Sequence, residues 1–428
     1  MNVAILLVAL AIGGLLALSP RARGSDAWRA TVTPLSSIMG SGFLISAPLL
    51  VGATGAYAPL AMGGLLLVAY GIGSMLRFNI RWAERDADGG ADAAEHRLHR
   101  GHREGTQPHW TFGDRQWVRR IERASHVVLA GAYIISIAYY LQLLSAFVLD
   151  RFSAHDPTAI RALTTAVLVT IAAVGATAGL RALERVETYA VSLNLGVIVA
   201  LLGALAAHAL GLIARGAFTL PALSPGGDRW HSARVVMGLL IVVQGFETSR
   251  FLGSAHPREQ RVRTMRAAQL VASVIYLVFV SLMLPLFDGH DYGTDVTAII
   301  ALVTPVAVVL PTLVFLAAIG SQFSAAVADD AGCAGLIRTI ASGRLPSRAA
   351  YALIGAATIS VTWCTDVLSV ISLASRAFAL FYAMQCLVAV LTATHEHHPV
   401  ATRWRVRVLG SLLAVTSLGA AVLGVPAG

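Results

Sequence analysis

The sequence predicts an all-α polytopic membrane protein. Only 13% of its 428 residues are charged while 56% are hydrophobic, against about 25% charged in soluble domains. The apolar residues gather in runs that reach the roughly 20 residues a membrane-crossing helix needs. The basic residues, all arginine, fall almost entirely between those runs. A soluble chain with net charge +9 would point to nucleic acid. Arginine gathered in loops points to a bilayer instead, and no nucleic-acid partner is expected.

The predicted spans are about 2–18, 31–54, 57–77, 125–149, 159–180, 188–213, 233–252, 267–287, 297–327, 349–365, 367–394 and 406–425. The first lacks the basic flank and small-residue cleavage site of a secretory signal. Arg21, Arg23 and Arg29 follow it, so residues 1–18 read as an uncleaved anchor with its N-terminus outside. The second and third spans are split at Gly55-Ala56, and the tenth and eleventh near Asp366. With the loop after the anchor on the cytoplasmic side, 26 of the 32 arginines fall in loops on that side. Only Arg151, Arg161, Arg215, Arg229 and Arg234 fall opposite, and Arg376 lies inside a span. That bias sets the orientation by the positive-inside rule. The loop with Asp288, Asp291 and Asp295 then lies outside. Cys333, Cys364 and Cys386 form no CxxC pair and read as packing residues.

Two spans carry interruptions. Gly40-Ser41-Gly42 sits near the middle of 31–54, with Pro34 and Pro48 on either side. Gln244-Gly245-Phe246-Glu247 interrupts the apolar span 233–252. Numbered from 31–54, these are core spans 1 and 6. Five spans separate the breaks, so the second half begins with inverted orientation. Unwound backbone at membrane depth is tolerated only when buried in protein or lining a cavity. Interrupted helices in matching positions of two inverted halves point to a transporter's central site.

Four stretches carry a family resemblance. Ser36-Ser-Ile-Met-Gly-Ser-Gly-Phe-Leu-Ile, with Gly52-Ala-Thr-Gly-Ala-Tyr-Ala-Pro59 after it, resembles the first-helix signature of the amino acid–polyamine–organocation (APC) transporter superfamily. Gly179-Leu-Arg-Ala-Leu-Glu-Arg-Val-Glu-Thr188 is similar to that family's basic loop before the fifth helix. Gln244-Gly-Phe-Glu247 with Pro257 resembles the sixth helix and its exit. Ser321-Gln-Phe-Ser-Ala-Ala-Val-Ala-Asp-Asp330 with Gly343-Arg-Leu-Pro346 resembles the end of the eighth helix and its connection to the ninth.

The resemblance implies a LeuT-type five-plus-five inverted repeat, with repeats at 31–213 and 233–394, an extra N-terminal span and an extra C-terminal span at 406–425. It implies alternating access and a substrate held between core spans 1 and 6. Gly40, Ser41 and Gly42 would meet a carboxylate or similar group, with Gln244, Gly245, Phe246 and Glu247 opposite. Proton-coupled relatives often place a lysine in the fifth helix, where this chain offers only Asn194. For sodium, Ser321 and Ser324 would supply hydroxyls and the first break carbonyls. No cofactor is expected beyond such sodium or proton coupling.

Single residues admit rival readings. Glu247 is a substrate-amine partner, proton carrier or gate, or else pairs with Arg250. An ionisable group at that depth costs at least about 2.5 kcal/mol. Arg376 lines the pathway, or pairs with Asp366 or a structural carbonyl. Asp329 and Asp330 read as surface acids near Arg338, with an inner ion station as the alternative. His96, His99, His102, His395, His397 and His398 lack the mixed cage of a metal site. The arginine-rich stretch 77–123 reads as topology-setting charge or a contact for anionic lipid. No G-x-x-x-x-G-K-[ST] loop is present.

The expected function is therefore a secondary active transporter, a permease of a small amino acid, amine or related organic ion. The alternative is a non-transporting sensor or accessory subunit on the same fold. An enzyme is not expected. The expected partners are a small-molecule substrate and the lipid bilayer, with homo-oligomers admitted. The expected place is a cell membrane, in the simplest case the bacterial cytoplasmic membrane, with multiple passes.

Overall fold

A computed structural model of the chain describes residues 2–19, 25–40, 42–83, 112–154, 156–177, 180–222, 228–252, 256–287, 297–341, 344–395 and 399–425. These residues are almost wholly helical. In chain order the helices are α1 (Asn2–Leu18), α2 (Asp26–Gly40), α3 (Phe43–Thr54), α4 (Ala58–Arg81), α5 (Phe112–Asp150), α6 (Pro157–Thr177) and α7 (Leu180–Ala214). They continue as α8 (Arg229–Gly238), α9 (Arg258–Met283), α10 (Ala298–Val303), α11 (Leu310–Ile340), α12 (Ser347–Cys364), α13 (Val367–His395) and α14 (Val400–Leu423). Eight stretches among the described residues are helical, long and apolar enough to cross a membrane. The protein is a multi-pass helical membrane protein.

The predicted spans correspond to these helices with three differences. Span 31–54 is two helices, α2 and α3. Span 233–252 is α8 followed by 3-10 turns at Leu240–Val243 and Phe246–Leu252. Span 297–327 is also two helices, α10 and α11. Pro305 and Pro311 lie at that last junction, where each lacks the N–H that an unbroken helix needs. The predicted splits are present, one as a 3-10 turn at Gly55–Tyr57 and one at Thr365-Asp366.

The helix α5 runs through the centre, flanked by α11 and α13. Its side chains Tyr133, Tyr139, Tyr140 and Phe147 are fully buried. On the other side of α11 stands α2, backed by α9 and by the 246–252 turn. The periphery holds α6 with α12, and α14 along α13. The anchor α1 lies on α7, where a Cβ on Gly13 would come 3.2 Å from Leu193 Cα, and one on Gly196 would strike the α1 backbone at Ala9 and Gly13. Small residues give membrane helices this close approach. Leu67, Val274, Val415 and Val422 are exposed on outer faces, as lipid contact requires.

Candidate functional site

The two interruptions are real breaks, and they lie against each other. Helix α2 ends at Gly40 and α3 begins at Phe43. Between them Gly42 has φ +151°, a conformation other residues avoid. Ser41 lies outside the described residues. In the second break Gln244 is extended and Gly245 has φ +115°. A Cβ on Gly245 would stand 2.6 Å from Ile38 N and Ser37 Oγ. A Cβ on Gly42 would stand 3.0 Å from Val242 Cγ2. Each glycine therefore admits the other segment's backbone.

One hydroxyl serves both breaks. Tyr276 of α9 sits 2.9 Å from Ile38 O and 2.7 Å from Val242 O. In unbroken helices these carbonyls would accept from residues 42 and 246. The Ile241 N–H donates to Ser375 Oγ of α13 at 3.1 Å. Buried backbone groups need such partners, and here side chains of neighbouring helices supply them.

Ser321 and Ser324 of α11 also reach the first break. A Cβ on Gly40 would meet Ala325 Cβ at 2.5 Å and Ser321 O at 2.9 Å. Ser36 Oγ donates to Ser324 Oγ at 3.4 Å. Ser321 Oγ donates to Ala318 O at 3.1 Å and Ser324 Oγ to Ser321 O at 3.0 Å. Their oxygens keep acceptor capacity beside the break.

At the second break the predicted residues divide. Gln244 Nε2 donates to the Tyr140 hydroxyl at 2.5 Å. Phe246 is buried and stacks on Tyr382 of α13, centroids 5.3 Å apart. Glu247 is fully buried. Its Oε2 accepts from the Gly245 N–H at 3.0 Å and from the Tyr382 hydroxyl at 2.8 Å. Its Oε1 has no hydrogen-bond partner among the described residues. The alternative reading, a pair between Glu247 and Arg250, does not form. Arg250 bonds Glu122 of α5 and Gln385 of α13.

One further expectation is corrected. Asp329 and Asp330 are not surface acids. Asp329 is fully buried and accepts from Ser136 of α5, and Asp330 is 6% exposed. Of the readings of Arg376, the structural carbonyl holds and the Asp366 pair does not. Arg376 donates to Ala421 O at 2.9 Å and Val422 O at 2.8 Å, capping the last turn of α14. The side chains of His96, His99, His102, His395, His397 and His398, and most of stretch 77–123, lie outside the described residues. Among the described residues no group of His, Cys, Asp and Glu could hold a metal ion.

The sequence reading missed Tyr133, Tyr140, Tyr276 and Tyr382. Aromatic residues are ordinary in apolar spans, so their hydroxyl roles had no local signal. Gln385 and Asn79, amides inside apolar runs, did carry one. Asn79 Nδ2 donates to Gln385 Oε1 at 3.0 Å.

The chain matches, over residues 20–424, a family model described as an APC superfamily transporter. It is 37% identical over 377 residues to an uncharacterized protein of Aquifex aeolicus (strain VF5), covering 88% of this chain and 86% of that one. Among solved structures it is similar to Mhp1, a nucleobase-cation-symport-1 family transporter in a closed conformation with bromovinylhydantoin bound. The identity is 13% and the TM-score 0.45, with 93% of this chain and 89% of that chain covered.

Proposed function

The chain belongs to the APC superfamily of transporters, and from that premise we propose that it is a secondary active transporter of a small amino acid, amine or related organic ion. The substrate is held where the breaks at 40–42 and 244–247 meet. Residues 31–213 and 233–394 act as inverted halves that rock in alternating access, in the cytoplasmic membrane of a bacterium. Energy comes from an ion or solute gradient, with Ser321 and Ser324 as sodium ligands in the sodium-coupled form.

The observation that carries this reading is the apposition of the breaks. Gly245 packs on Ser37 and Ile38, and Tyr276 bonds a carbonyl from each segment. Broken helices expose N–H groups at one half-helix end and carbonyls at the other. These groups bind carboxylate and ammonium without any charged side chain.

The test is thermal unfolding of the purified protein against a panel of amino acids, amines and organic ions, with and without sodium. A ligand at 100 times its dissociation constant adds about 2.7 kcal/mol of stability. The hit is then followed as uptake into proteoliposomes. Gly42→Val and Gly245→Val should abolish both signals in protein that still melts cooperatively. A hit that neither change disturbs would place the substrate elsewhere and defeat the proposal.

A further inference from the structure

Helices α4 and α9 pack side by side and antiparallel, with Gln269 against Ala69 and Gly73, and Glu259 against Arg81. One flank of this pair is charged at its arginine-rich end and apolar beyond it. On α4 the flank is a stripe at helical spacing, Leu67, Tyr70, Ser74, Arg77 and Arg81. On α9 it is Glu259, Arg263, Arg266, Leu270 and Val274. Both stripes leave the helix contact on the same side, as the bond between Arg81 and Glu259 requires. Arg77 is the buried member, only 7% exposed. Its guanidinium donates to Gln269 Oε1 and to Tyr70 O at 3.4 Å, and its Cζ stands 4.9 Å from the centre of the Tyr70 ring. These partners are all neutral. Glu259 is held by Arg81 through two bonds at 3.0 Å. Arg266, one turn before Gln269, is exposed. Among the described residues no acid pairs with Arg77 or Arg266.

We propose that this flank binds the headgroup of an anionic phospholipid, with its phosphate between Arg77 and Arg266. Neutral acceptors bond a guanidinium but leave its charge uncompensated, and a buried charge is costly until it is paired. Arginine matches the oxygens of a phosphate in charge and in shape. Basic pockets between membrane helices hold lipid headgroups in this way. Beyond the arginines, Leu67, Leu270 and Val274 are exposed on the same flank. That apolar surface suits acyl chains and favours a lipid over a free phosphate. A headgroup here braces α4 to α9, the helix whose Tyr276 serves both breaks. The site stands whatever the breaks carry.

The test uses the full-length purified protein, delipidated, in a neutral detergent at one ionic strength. Its melting temperature is followed as phosphatidylglycerol, phosphatidylcholine with the same acyl chains, or sodium phosphate is added. Phosphatidylglycerol should raise it in a saturable way, and the other two should not. Arg77→Met should abolish that gain. Arg266→Gln, at an exposed position, should keep the fold and weaken the apparent affinity for phosphatidylglycerol about fivefold, the equivalent of about 1 kcal/mol for one arginine at the headgroup. If Arg77→Met fails to melt cooperatively, Arg266→Gln decides alone. Arg338→Gln removes an exposed arginine of α11, outside this flank, and should leave the affinity as in the parent. A gain that Arg266→Gln leaves intact, or that Arg338→Gln lowers as much, would reduce the effect to general attraction between arginine and lipid and overturn the proposal. An equal gain with sodium phosphate would make the ligand a free anion, and an equal gain with phosphatidylcholine would make the headgroup irrelevant. Either overturns it, as does the absence of any gain.

Discussion

Asp366 shows how one residue between two membrane helices sets where the second begins. Its carbonyl accepts from Val370 N at 2.9 Å, its Oδ1 from Ser369 N at 2.9 Å and its Oδ2 from Ser369 Oγ at 2.7 Å. It is thus the N-cap of α13. Burial pushes its carboxyl up, but the two bonds from Ser369, with those from the backbone of Asp366 and Leu368, outweigh this and hold it below the usual carboxylate range. A depressed value in the fold stabilises above the unfolded value of about 4. That stability is lost as pH falls through the folded value. Asp366→Ala should therefore cost about 1 kcal/mol at neutral pH, and the gap to the parent should close in acid. Asp366→Asn should keep most of the cap. Melting of the three proteins across pH 3 to 7 checks this, and a pH-independent gap would exclude the capping account. Asp366 was legible because it sits where an apolar run must turn. Glu247 was legible because an acid at a helix break costs energy without a purpose. Asp329 was misread. Two acids at the end of an apolar run look like the end of a span, and only the packing of α5 over them shows otherwise.

At the scale of elements, glycine marks where a helix stops, and partners in other helices determine how far it unwinds. The breaks at Gly42 and Gly245 follow from their sequences, since only glycine takes φ +151° and +115° without strain. The unwinding of Leu240–Val243 does not. Its residues are all aliphatic and read as ordinary helix. What holds it open comes from far along the chain, Ser375 on Ile241 N and Tyr276 on Val242 O. No local pattern records such partners. The all-helical fold and span order were thus legible almost entirely, and the site only at its glycines and one acid. Tyr276→Phe keeps the ring and removes the hydroxyl that both breaks share. It should cost about 1–3 kcal/mol by stranding a buried acceptor. Amide exchange should quicken in peptides covering 37–44 and 240–247, while the α14 peptide, remote from Tyr276, stays as in the parent. Equal protection in both breaks would show that Tyr276 only packs there, through its edge-on contact with Phe43.

At the scale of the whole molecule, two tiers of polar contacts join the 246–252 turn to α13. Glu247 meets Tyr382, and three residues further along each element Arg250 meets Gln385. The second tier spreads wider. Arg250 also pairs with Glu122 of α5, Gln385 Nε2 donates to Ser125 Oγ at 2.8 Å, and Arg261 of α9 donates to Arg250 O at 2.6 Å. The Arg250 side chain is only 3% exposed and that of Glu122 19%, so water does little to screen them. This tier ties the broken segment to the central helices, and in the proposed transport cycle it is the contact that closes the breaks off from the arginine-rich side. In an alternating-access cycle it must come apart. Arg250→Ala strands Glu122, and losing one partner of a buried pair costs about 3–5 kcal/mol. The closed state bears that cost, so the open population should rise by about a hundredfold or more. The readout is a single cysteine, Ser249→Cys, in protein lacking the three native cysteines, labelled from the arginine-rich side by a charged thiol reagent. Ser249 is fully buried, so labelling should be slow in the parent and fast with Arg250→Ala. Removing Glu122 as well should not add to the effect, because the two residues share one interaction. If labelling stays slow in both variants, closure resides in the aliphatic packing around the turn and the arginine only anchors it.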